Sequence, residues 1–147
     1  MYQRILIATD GSALSKKAVS SGIALAALAG AELVALKVVP RYPMTYFEGS
    51  LPLSAQEVNR IEKQWADQGK RIVDAVLGAA EKQGVKAKAI TVKSDVVSDA
   101  IISVAKKYKC DLIVMASHGR KGIKRLLLGS ETLQVLTHTQ TPVLVLR

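Results

Sequence analysis

Apolar and polar positions along this chain switch repeatedly between a strand-like and a helix-like rhythm. Arg4 to Thr9 (RILIAT) is a short branched apolar run closed by the turn signal Asp10-Gly11, which predicts a buried strand. Ser12 is placed to cap the helix that follows, in which Ala18, Ile23, Leu25, Ala26 and Leu28 form a broad apolar stripe ending at Gly30. Glu32 to Val39 (ELVALKVV) predicts a second strand, stopped by Pro40. Pro40 to Pro52 contains three prolines and Gly49 and no helical period, so it reads as an excursion loop. From Ser54 to about Gln83 the spacing of Val58, Ile61, Trp65, Ile72, Val73, Val76 and Leu77 predicts a long helix, with Trp65 assigned to the core. Val85 to Val92 (VKAKAITV) alternates lysine with apolar residues, as in a strand with one wet side near a sheet edge. An amphipathic helix over Ser98 to Tyr108 precedes Asp111 to Ala116 (DLIVMA), the most apolar strand and the expected sheet centre. A short helix over Ser130 to Thr137 and a strand over Val143 to Leu146 complete the chain.

Strands alternating with helices imply parallel βαβ units with helices on both faces of one sheet. The expected fold class is α/β, a single doubly wound domain over residues 1–147 with a five-stranded parallel sheet. In such sheets ligands bind beyond the carboxyl ends of the strands, where strand order reverses. Asp10 closes the first strand, Val38-Val39 the second and Ala116 the fourth, so those three ends should meet at one crevice.

Composition narrows the class without changing the picture. With 147 residues, 49% hydrophobic and 22% charged, the chain can bury an ordinary globular core. No apolar run reaches the roughly 18 residues of a membrane span. The opening MYQRILIATDG lacks the apolar stretch of a signal peptide, so a cytoplasmic protein is expected. One cysteine, Cys110, cannot form an internal disulfide and reads as a small, partly buried residue. The net charge of +9 raises the question of nucleic acid, but the lysines and arginines are dispersed and only 4% of residues are aromatic. Nucleic-acid binding is therefore not expected.

The candidate chemistry lies in ASHGRKGIKRLLLGSET, after the fourth strand. It offers Gly119, Gly122 and Gly129, the hydroxyls of Ser117, Ser130 and Thr132, and a basic cluster, Arg120, Lys121, Lys124 and Arg125. Glycines let backbone approach a ligand, and the helix start after Gly129 presents unpaired N–H groups and partial positive charge. Strand, glycine-rich loop and helix together suit a phosphate. Other chemistries find no support. The chain has no G-x-x-x-x-G-K-[ST], no G-x-G-x-x-G after the first strand and no G-x-S-x-G. Its two histidines, His118 and His138, and one cysteine make a zinc site improbable.

RILIATDGS, DLIVMASHGR, the nine-residue gap from Gly119 to Gly129-Ser130, and the closing TPVLVLR resemble the universal stress protein family over essentially the whole chain. The resemblance implies a Rossmann-like fold of the adenine nucleotide alpha hydrolase type and a role in stress response. The nucleotide-binding branch carries G-x2-G-x9-G-[ST]; Gly119, Gly129 and Ser130 match it, and Ala116 replaces the first glycine. The resemblance thus implies an adenine nucleotide, ATP or AMP, as ligand. Asp10 would accept from the ribose hydroxyls, Ala8 would pack near the base, and Val38 and Met115 would flank the adenine. Gly119 would donate its N–H to the phosphates, and Gly129 and Ser130 would hold the β- and γ-phosphates. Ala116, Arg120 and Glu131 complete the implied site. Magnesium is compatible with a triphosphate, although no carboxylate pair marks its place. Any catalysis would be slow hydrolysis, because no dedicated base or nucleophile is present. Family members also pair their last strand across a two-fold axis, which implies a homodimer.

Plainer readings stand beside these. Asp10 can make an Asx turn with Gly11 and Ser12, and Ser130 can be an N-cap with Glu131 favouring the helix dipole. His118 reads as a loop residue, and the Arg120–Arg125 cluster as a solvated face. At Ala116 a positive φ would cost roughly 1 kcal/mol, whereas a close-approach position would only narrow the pocket. The close-approach reading is preferred. A nucleotide-free family member acting through protein partners is the alternative, with a basic nucleic-acid-associated protein behind it.

Overall fold

A computed structural model describes residues 1–43, 53–118 and 128–147. Its elements run β1 (Arg4–Ala8), α1 (Ala13–Ala29), β2 (Glu32–Val39), α2 (Ala55–Lys82), β3 (Ala87–Lys93), α3 (Val97–Lys107), β4 (Leu112–Ala116), α4 (Ser130–His138) and β5 (Val143–Leu146). The five strands form one parallel sheet in the order β3-β2-β1-β4-β5. The α/β class and the sheet are as expected, and lysine-rich β3 lies at an edge. The centre, however, is β1 and not β4. LIVMA is fully buried because α1 and α2 cover one face of the sheet and α3 and α4 the other, which is true of β4 even one place off centre.

Period-two alternation sorts the strands into two cores. Ile5, Ile7, Leu33, Ala35, Leu112, Val114 and Ala116 face Ala18, Ile23 and Ala26 of α1 and Val73, Val76 and Ala80 of α2. Leu6, Val34, Leu36, Val38, Ile113 and Met115 face Ala100, Ile101 and Val104 of α3 and Val135 of α4. Helix α1 rides close to the sheet, since a Cβ on Gly22 would fall 2.5 Å from Ile7 Cδ1. Two assignments from periodicity fail. Leu28 is 86% exposed, because the stripe of α1 rotates off the sheet near its end. Trp65 is only half-buried: the buried positions of α2 begin at Gly69, and Trp65 stacks instead on Tyr42, with ring centroids 6.1 Å apart. Arg41 to Pro43 have no regular structure, and the rest of the expected excursion loop, residues 44–52, lies outside the described residues. Among the described residues no helix is long and apolar enough to cross a membrane.

Candidate functional site

Strand order reverses between β1 and β4. From β1 the chain passes to α1 on one face; from β4 it passes to α4 on the other. The two exits part above the carboxyl ends of these strands, the position at which sheets of this kind bind ligands. On the β1 side, Thr9 donates its N–H to the Leu36 carbonyl (3.0 Å) and its hydroxyl to Ser15 Oγ (3.0 Å), and it accepts the Gly11 N–H (3.2 Å). Asp10 Oδ1 accepts the Ser12 N–H (2.9 Å), the Asx turn anticipated as the plainer reading. Ser12 Oγ then caps α1 by accepting the Ser15 N–H (3.2 Å). Thr9 and Ser15 are buried with their hydroxyls paired, and the sequence reading missed both. Small hydroxyl residues flanking a D-G turn were the available signal.

On the β4 side, Ser117 donates its N–H to the Leu146 carbonyl (2.8 Å), and its own carbonyl accepts the Gly129 N–H (2.7 Å). Thr132, buried in the first turn of α4, donates its hydroxyl to the carbonyls of Ala116 (2.9 Å) and Ser117 (3.2 Å). These bonds draw the start of α4 against the end of β4. A Cβ on Gly129 would lie 3.0 Å from the Ser117 oxygen and 3.4 Å from His118 Cα, tighter than ordinary contact. Gly129, not Ser130, is the N-cap of α4, and it supplies no side-chain cap bond. The N-cap reading of Ser130 is thus corrected: the residue stands one place inside the helix, and its hydroxyl donates to Glu131 Oε2 (3.0 Å). His118 Nδ1 lies 2.9 Å from Ser117 Oγ.

The alternation of strands sorts the expected lining residues. Val38 and Met115 belong to the core beneath α3 and α4, and Ala8 packs against the same cluster. Ala116 belongs to the opposite cluster, beneath α1. It lies in extended β4, and the only non-glycine residue with positive φ among the described residues is Lys109. The strained-backbone reading of Ala116 therefore falls. Its methyl lies on the sheet face opposite Val38 and Met115. Gly119, Arg120, Gly122 and the rest of the basic cluster lie outside the described residues. Among the described residues no group of three or more His, Cys, Asp or Glu could hold a metal ion. Cys110 is buried, and burial pushes its thiol up to about 11, which makes it an inert packing residue.

The sequence profile of the universal stress protein family matches residues 1–147. Universal stress protein MJ0531 of Methanocaldococcus jannaschii is 34% identical over 149 residues, covering 100% of this chain and 83% of its own length. The solved structure of MJ0577 from the same organism superimposes with a TM-score of 0.81 at 27% identity, covering 99% of this chain and 96% of that one. A universal stress protein solved in complex with cAMP is 26% identical, with a TM-score of 0.72 and coverage of 99% and 97%. The profile match over residues 1–147, the 34% identity to MJ0531 and the close superposition on MJ0577 lead to one conclusion: this chain belongs to the universal stress protein family.

Proposed function

We propose that this chain binds an adenine nucleotide, ATP or AMP, in the crevice above β1, β2 and β4, and that it serves stress response in the cytoplasm as a binding or regulatory module. In this reading residues 1–147 act as one such domain, with at most slow hydrolysis. The observation that carries it is the seat of Gly129 against the Ser117 carbonyl, where any side chain would intrude between β4 and α4. The helix beyond has no side chain over its N-terminal N–H groups from the N-cap, which suits an anion. Val38, Met115 and Ala8 share one sheet face beside it, as a base-flanking role requires. The relative bound to cAMP supports an adenine ligand. Calorimetry with ATP, AMP and cyclic AMP tests the reading. At least one should give saturable heat below millimolar concentration. No heat and no melting shift with any of them would refute it, and a steep salt-dependent affinity for duplex DNA would favour the basic nucleic-acid rival instead.

The same reading includes a homodimer joined through β5. Among the described residues that strand pairs only with β4, it is uncharged, and Leu133 and Leu136 of α4 stand 51% and 39% exposed. An open apolar edge of this kind favours pairing with a second copy. Sedimentation should give twice the chain mass for wild type and a monomer for Val145→Lys; a variant that stays dimeric would place the interface elsewhere.

A further inference from the structure

The segment Gly129 to Thr132 offers an anion fewer donors than its composition promises. The Gly129 N–H is spent on the Ser117 carbonyl (2.7 Å), and the Thr132 hydroxyl on the carbonyls of Ala116 and Ser117. The Ser130 hydroxyl has one proton, and it donates that proton to Glu131 Oε2 at 3.0 Å. What α4 still presents is the backbone N–H groups of its first turn, which have no intrahelical acceptor. Glu131, exposed in that same turn, already sets a full negative charge at the positive end of the helix. A phosphate arriving there must break the Ser130–Glu131 bond or share the turn with a carboxylate. Each further phosphate charge adds to the repulsion.

We propose that Glu131 sets the charge preference of this site, so that AMP or a cyclic monophosphate is favoured over a metal-free triphosphate. The inference rests on the nucleotide reading above and adds the selectivity of that site. Calorimetry in low salt with a chelator compares wild type, Glu131→Gln and Glu131→Asp, each with ATP and with AMP. Glu131→Gln should tighten ATP by about threefold to tenfold and AMP by distinctly less, the size expected of one exposed charge. Glu131→Asp keeps the charge and should keep the wild-type ratio of the two affinities. Added salt should shrink the gap, because exposed charges are screened. An unchanged ATP-to-AMP ratio in Glu131→Gln overturns this inference alone and leaves nucleotide binding standing. A ratio shift undiminished at about 1 M salt overturns the electrostatic account. Failure of all three proteins to bind either nucleotide overturns the nucleotide reading and this inference together.

Discussion

At the amino-terminal end of the sheet, charged groups tie the strands together; at the carboxyl-terminal end, where β1 and β4 stop, hydroxyls and a glycine do it. Asp111 accepts the N–H groups of Gln3 and Arg4 (2.9 and 3.0 Å), locking the entry of β1 to that of β4. The Arg4 guanidinium donates to Glu32 (2.9 Å) and to the Tyr108 carbonyl, and Lys86 approaches Glu32 at 3.6 Å. The other end is held by Thr9 with Ser15, by Thr132 on two carbonyls, and by Gly129 against Ser117. Neutral groups with short reach let backbone segments come close without filling the space between them. The amino end is tied by ion pairs and a carboxylate, whereas the carboxyl end is tied by neutral groups at close backbone approach.

If that division is real, substitutions at the two ends should separate affinity from stability. The largest effect belongs to Gly129→Val, whose side chain must push Ser117 and His118 away from α4. Nucleotide affinity should fall by on the order of a hundredfold, with stability reduced by about 1–3 kcal/mol as for an overpacked site. Calorimetry and urea titration of one preparation read both, and intact affinity would show that phosphates bind elsewhere. Next comes Asp111→Asn, which should cost about 1–2 kcal/mol at neutral pH while leaving nucleotide affinity alone. Burial pushes the Asp111 carboxyl up, but the N–H bonds from Gln3 and Arg4 outweigh it and hold the group below the ordinary carboxylate value. A lowered folded-state value means the stabilisation is complete above the unfolded pKa of about 3.9 and is lost as pH falls through the folded one. Wild-type stability should therefore drop in acid below about pH 4, and the variant should lose part of that slope. Equal slopes would remove Asp111 from the account. The smallest effect is expected for Lys86→Ala, since this lysine is 84% exposed: a melting shift within about 1 °C. A larger shift would mean that exposed pairs, too, hold the amino end.

Most of the fold was legible in the residues because burial on two faces leaves runs such as RILIA and LIVMA, while helices keep a stripe. The lysines of β3 disclosed its edge position. Periodicity was silent on what lies opposite a residue, so Leu28 and Trp65 were placed in a core that α1 and α2 do not reach at those points. The glycine spacing after β4 and its likeness to a family motif were visible in the sequence. Thr9 and Ser15 were not, because a paired buried hydroxyl reads like any polar turn residue.

The sequence by itself determined the order of elements and the parallel sheet. These follow from local spacing, which each residue carries with it. Only tertiary structure decided that β1 is central, that Gly129 caps α4, that Ser130 spends its proton on Glu131, and that Ala116 turns its methyl toward α1. Each depends on which groups meet across the sheet, and a one-dimensional pattern of polarity does not encode the partner.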